Sequence, residues 1–218
     1  MEEHAETDAA SHLAIVPIAA VRNVDDLFLI RIGASAGGLE ATRELVKNLP
    51  EDINATYVIV QHMSPEHKSM MTALIARETS LPVFDVIPGT RPEANVIYVT
   101  PPNRDIHLKD GLLELQEPGT EGLRPRPSVD RFFESAATEF GVNMVGIVLS
   151  GTGSDGAAGV RAIHAAGGIT IAQDDKTAKY DGMPIAAVQT GDVDLVLSPF
   201  QIGPVSYTHL TLPTICSV

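Results

Sequence analysis

Gly33-Ala34-Ser35-Ala36-Gly37 is five residues with no side chain larger than a hydroxymethyl group. It lies between the apolar run Leu27-Phe28-Leu29-Ile30 and a helical stretch beginning at Gly38. A strand that turns directly into a helix needs small residues there, because two backbone segments approach each other at the turn. The run fits the G-x-S-x-G pattern of a nucleophile elbow, which lifts a serine hydroxyl out of the sheet edge. The helix start behind it leaves backbone N–H groups available to a developing oxyanion. Gly-rich strand-to-helix turns also bind phosphates in doubly wound folds. This one lacks both the G-x-G-x-x-G spacing and a Lys-Ser/Thr pair. Taken alone, the motif is compatible with a nucleophile and with a plain tight turn.

The rest of the chain extends the same alternation. Strands are expected at Leu27–Ile32, Thr56–Gln61, Val83–Val86, Val96–Val99, Val145–Leu149, Gly168–Ala172 and Leu195–Leu197. Helices are expected at Gly38–Lys47, Lys68–Glu78, Val129–Phe140, Gly156–Ala166 and Pro184–Gln189, with Ser128 as an N-cap and Pro184 as a first helical residue. Lys109-Asp110-Gly111 joins Asp105–Leu108 to Leu112–Leu115 as a β-hairpin. The expected fold is therefore α/β, a doubly wound, mostly parallel sheet with helices on both faces and a hairpin insertion. A core with no Trp and only 5% aromatic residues must be built from Ala, Val, Ile and Leu, as in such sheets.

Ligands of these sheets sit at the carboxyl ends of the strands. Ser35 follows the first strand, His62 the second, and Ser150-Gly151-Thr152-Gly153-Ser154-Asp155-Gly156 the strand ending at Leu149. A serine, a histidine and an aspartate are what a base-activated nucleophile requires. Of the seven histidines, only His62 ends a core strand; His4 and His12 are near the N-terminus, His67 and His164 on helices, His107 in the hairpin and His209 in the tail. His62 could equally be a polar loop residue. Asp155 would orient the imidazole and stabilise its protonated form, or simply cap the helix that starts at Gly156. The backbone N–H groups of Ala36 and of Gly151, Thr152 and Gly153 are oxyanion candidates. Arg124 and Arg126 lie in a stiff basic loop before a helix, suited either to a carboxylate-rich partner or to a Pro-rich connection.

A net charge of −13 argues against nucleic acid and anionic membrane as partners. No segment carries 18 apolar residues in a row, and the N-terminus lacks the layout of a signal peptide. Cys216 is the only cysteine, so a reducing cytoplasm is the default. No His/Cys/Asp/Glu grouping has metal-ligand spacing, and no cofactor is expected. Residues 1–25 read as an acidic flexible leader.

Taken together, Ile32-Gly-Ala-Ser-Ala-Gly-Gly38, Val60-Gln-His-Met63, Arg126-Pro-Ser-Val-Asp130, Val148-Leu-Ser-Gly-Thr-Gly-Ser-Asp-Gly156 and Gly182-Met-Pro184 resemble the catalytic domain of the chemotaxis receptor methylesterases, the CheB family. The resemblance covers about residues 27–203, with the pieces in family order. It implies a serine esterase that demethylates glutamate methyl esters, and often deamidates glutamines, on the cytoplasmic helices of methyl-accepting chemoreceptors. It places the nucleophile on Ser35, the base on His62 and the acid on Asp155. Ala36, Thr152 and Gly153 are the expected oxyanion residues, and Arg124, Arg126 and Met183 the expected substrate contacts. Two departures stand out. Residues 1–26 are too short for the receiver domain that often precedes this one. Ser64-Pro-Glu-His-Lys68 and Ala178-Lys-Tyr-Asp-Gly-Met-Pro184 look instead like the branch fused ahead of a receptor methyltransferase. From Val205 the chain resembles a translated sequencing-adapter sequence, so the domain is expected to span 26–204. Residues 205–218 are expected to be foreign to it and to form no closing helix.

Overall fold

The structure, a computed structural model, describes residues 27–62, 70–117 and 126–211, with side chains through residue 205. Strand β1 (Phe28–Ala34) is buried along its whole length and leads through the small-residue turn into α1 (Gly38–Val46). Strand β2 (Ala55–Gln61) is buried equally completely. The short α2 (Met71–Ile75), β3 (Val83–Asp85) and β4 (Ile97–Val99) complete one half of the sheet. The hairpin β5 (Asp105–Lys109) and β6 (Leu112–Gln116) follows, then α3 (Val129–Phe140) and β7 (Met144–Val148). Last come α4 (Ala157–Ala165), β8 (Ile169–Gln173), α5 (Gly182–Val188), β9 (Leu195–Leu197) and α6 (Pro199–Thr211).

Seven strands form one parallel sheet in the order β3-β4-β2-β1-β7-β8-β9, and β5 and β6 pair antiparallel beside it. Period-2 alternation along the fully buried strands supplies two cores. On one face Ile30, Ile32 and Ile59 pack with Leu45, Ile75 and Ile202 of α1, α2 and α6. On the other, Leu29, Val58 and Val148 pack with Phe132, Phe133, Ile163 and Ala187 of α3, α4 and α5, and with the hairpin's Ile106 and Leu113. Each such side chain contributes roughly 1.5–3 kcal/mol when fully buried. The chain winds outward from β1 in one direction through β2 and later in the other through β7, so the carboxyl ends of these three strands flank the switch point.

The expected α/β architecture and each expected strand and helix are present, with ends moved by a few residues. The helix expected over Lys68–Glu78 is shorter within the described residues. It stops at Ile75, and the Glu78 amide donates back to the Ile75 carbonyl while the Glu78 carboxylate pairs with Arg43 and with Lys47 at 2.9 Å on α1. One expectation is corrected: a closing helix does follow β9. Ser198-Pro199-Phe200-Gln201 has the sequence of a capping box and makes the half in which the Gln side chain returns to the cap residue. Gln201 Oε1 accepts from the Ser198 amide at 3.0 Å and from its hydroxyl at 2.9 Å, and Pro199 occupies the first helical turn. The helix runs across residue 204, with Pro204 inside it.

Candidate active site

Ser35 sits in the turn between β1 and α1. Its amide donates to the Ser150 carbonyl at 2.9 Å, and its own carbonyl accepts from the Gly38 amide at 2.9 Å and from Gln61 Nε2 at 2.6 Å. The glycines on either side each have a steric reason. A Cβ on Gly33 would collide with Val129, the first residue of α3. Gly37 has φ +71°, and a Cβ there would lie 2.7 Å from Ser150 Oγ and 2.9 Å from Lys179 Cβ.

His62 follows β2, and its amide donates to the Ala34 carbonyl at 3.0 Å, which tethers it beside the Ser35 turn. Its Nδ1 lies 3.0 Å from Ser35 Oγ and its Nε2 2.8 Å from Asp155 Oδ2. An ionised carboxylate can only accept, so Nε2 carries the proton and Nδ1 is left as the base facing the hydroxyl. The ring is 9% exposed and the carboxylate 15%.

Asp155 does not cap its own helix. Gly156, with φ +102°, occupies the N-cap of α4, which has no side-chain cap of its own. The Asp155 carboxylate reaches instead to the start of α3, where it accepts from the Val129 amide at 2.8 Å, the Asp130 amide at 2.9 Å and the Ser128 hydroxyl at 3.3 Å. Burial would push this carboxyl up. The hydrogen bonds from His62 and from the amides of Asp130 and Val129 outweigh burial and hold it below the usual carboxylate range. Ser128 caps α3 as expected, accepting from the Arg131 amide. Asp105 of the hairpin holds Ser128 in place, accepting from its amide at 2.9 Å and pairing with Arg131 at 3.3 Å.

Of the remaining residues singled out from sequence, the Ala36, Thr152 and Gly153 amides donate to no group among the described residues, and Thr152 and Gly153 are exposed. The Gly151 amide is committed to the Tyr180 carbonyl at 2.9 Å, so it is removed from the oxyanion set. Met183 is the residue expected as a substrate contact. It is fully buried, its amide donates to the Gly151 carbonyl at 2.9 Å, and its thioether fills the space a Gly151 side chain would occupy. Arg126 is half-buried just ahead of α3. Arg124, His67 and the Ser64–Lys68 segment lie outside the described residues.

The sequence reading missed three polar residues behind the site. Buried Ser150 donates to the Ala36 carbonyl at 2.8 Å and accepts from the Tyr180 amide at 3.0 Å, joining the elbow to the loop before α5. Gln173 holds the Ser150 amide at 2.8 Å. Asp130 accepts from the Gly156 and Gly159 amides. For Ser150 and Gln173 the available signal was a polar residue at or just past the end of an otherwise apolar strand, which Gln61 shares; Asp130, the second residue of α3, carries no such signal.

A parallel doubly wound sheet carrying serine, histidine and aspartate in series across the carboxyl ends of its central strands defines a class, the α/β proteins built around a Ser-His-Asp constellation. Within that class, the CheB methylesterase family model matches residues 30–205, and the chain belongs to that family. It is 37% identical over 170 residues to protein-glutamate methylesterase/protein-glutamine glutaminase 2 of Anaeromyxobacter dehalogenans, covering 78% of this chain and 49% of that protein. It is 43% identical over 134 residues to an uncharacterized 104.1 kDa protein of Rhodobacter capsulatus, covering 62% of this chain and 14% of that one. The crystal structure of the Thermotoga maritima CheB methylesterase catalytic domain matches with a TM-score of 0.78 at 27% identity, over 83% of this chain and 97% of that one. The chain thus spans about half the length of the curated methylesterase/glutaminase relatives it matches.

Proposed function

We propose that the chain is the catalytic domain of a protein-glutamate methylesterase acting on methyl-accepting chemoreceptors. The observation that carries this is the hydrogen-bonded series Ser35–His62–Asp155 in a chain of the CheB methylesterase family. Ser35 Oγ attacks the γ-carbonyl carbon of a glutamate methyl ester while His62 Nδ1 takes its proton. The amides of Ala36, Thr152 and Gly153 receive the developing oxyanion. Collapse breaks the C–O bond, and His62 returns the proton to the departing methoxide, which leaves as methanol. Water activated by the same ring then releases glutamate from the acyl-enzyme. A glutamine side chain enters the same sequence with ammonia as leaving group. Asp155 keeps the proton on Nε2 and balances the imidazolium.

Arg124 and Arg126 offer cations to the acidic surroundings of a receptor methylation site. We place the activity in the cytoplasm, on receptor helices; no helix among the described residues is long and apolar enough to cross a membrane. The domain limits proposed are 26–204, with 1–25 a leader and 205–218 foreign sequence, and the family match ending at residue 205 supports the second limit. The long Rhodobacter relative supports a larger native polypeptide, in which a methyltransferase domain would follow.

The test is methanol release from methylated receptor membranes, set against hydrolysis of a generic ester. Release should favour the receptor, and Ser35→Ala should lose at least about a thousandfold while remaining folded, since only binding and the oxyanion site would still contribute. Equal efficiency on the generic ester would point to a small-molecule esterase. No turnover by a folded parent would point to a docking module without catalysis.

A further inference from the structure

We propose that Asp130 is the positioning residue that turns Asp155 toward His62; the inference rests on the functional reading above. Helices α3 and α4 exchange their carboxylates. Asp130, the second residue of α3, presents Oδ1 to the Gly156 and Gly159 amides at the start of α4, each at 2.8 Å. Asp155, in the loop before α4, presents its oxygens to the Val129 and Asp130 amides at the start of α3. The start of α4 is thus satisfied by an acid from the other segment in place of a cap of its own, and Asp155 adds to the Ser128 cap at the start of α3.

The exchange matters because Asp155 is the acceptor nearest in sequence to the amides that Asp130 occupies. Without Asp130 those amides face Asp155, and local capping of α4 competes with the bond to His62. Asp130 also anchors Gly156, the end of the loop whose Thr152 and Gly153 amides belong to the oxyanion set. The titratable groups acting on the pair are the two acids on one another and His62 on Asp155. Asp105 and Arg131 reach the pair through Ser128, from whose amide Asp105 accepts. Burial and the neighbouring Asp155 charge push the Asp130 carboxyl up, against the pull of the Gly159 and Gly156 amides.

The experiment compares Asp130→Ala with Asp130→Asn, which keeps an oxygen for the α4 amides. Ester turnover and the proton equilibrium of His62, followed by NMR, are the two readouts. Asp130→Ala should lower kcat by roughly a hundredfold, the scale of a 1 Å misplacement, with KM unchanged within about twofold. Its His62 equilibrium should move toward the neutral ring, in the direction expected of an Asp155→Asn control. Asp130→Asn should recover most of both. Near-parental kcat in Asp130→Ala, with Ser35→Ala inactive, would show that Asp130 serves helix stability alone. Equal displacement of the His62 equilibrium in both variants would show a through-space charge effect, and would also overturn the proposal. If the parent hydrolyses no glutamate ester, the functional reading fails, while the NMR comparison still decides whether Asp130 controls Asp155. If Asp130→Ala does not fold, Asp130→Ser provides the same comparison.

Discussion

Asp155 and Asp130 respond to acid in opposite directions. Asp155 sits below its unfolded value of about 3.9, so its contribution to stability is present above that value and is lost as pH falls through the folded one. Asp130 is raised, so ionising it costs stability at neutral pH, and its protonation as pH falls relieves that cost. Urea unfolding should therefore show stability maintained or slightly increased from pH 7 down to about 4, then falling. Asp130→Asn should flatten the upper part of that curve; a steady decline from pH 7, identical in the variant, would contradict the assignment. Arg31 is the second residue with a testable cost. It lies fully buried in β1, against the rings of Phe132 and Phe133 at 5.6 and 5.5 Å, and donates to the carbonyls of both residues. No carboxylate pairs with it among the described residues, and burial pushes its guanidinium down to about 9. Arg31→Met should raise stability, read as a higher Tm, because it removes a buried charge that no carboxylate among the described residues balances. A lower Tm would mean that the carbonyl and ring contacts outweigh the desolvation.

At the level of elements, α6 separates two segments that the sequence joins smoothly. Ile202 is fully buried against the α1 side of the sheet, and a Cβ on Gly203 would run into the Asn48 backbone, so the first turns of α6 are packed closely. Ile202→Ala should cost about 2–4 kcal/mol by leaving a cavity. Truncation after Pro204 keeps both contacts and should change stability by no more than about 0.5 kcal/mol. Denaturant melts of the two variants distinguish these outcomes, and unfolding of the truncated chain would make the later turns part of the domain. The helix was legible in Ser198-Pro199-Phe200-Gln201, the sequence of a capping box with Pro at the first helical position. It was missed because the residues beyond Val205 show no amphipathic period, and period outweighed the start signal.

Over the whole molecule, charge is the property that bears on partner choice. In a chain of net charge −13, Arg124 and Arg126 form a local basic exception just before α3. Changing both to Ala should raise KM for methylated receptor and weaken its dependence on salt, while leaving hydrolysis of a small neutral ester nearly unchanged. Equal loss on both substrates would assign the loop to structure or chemistry. The sheet itself ends in two edge strands of three residues each, β3 and β9, which leaves little backbone exposed for pairing with another chain.

By itself, the sequence determined the layered architecture and where Ser35, His62 and Asp155 stand. Apolar runs, helical periods and turn residues are local quantities, and the carboxyl-end rule converts strand order along the chain into a place in space. Tertiary structure alone decided how those residues are held. From sequence Asp155 could serve either as the partner of His62 or as a cap for the helix beside it, because sequence shows only neighbours along the chain. Its partners are the amides of a helix 25 and 26 residues away, brought close because Gly33 lets Val129 lie against β1. Met183 looked available to substrate by its place in a loop motif, yet it fills the space beside Gly151. Burial and long-range hydrogen bonding depend on which surfaces meet, and no local pattern encodes that meeting.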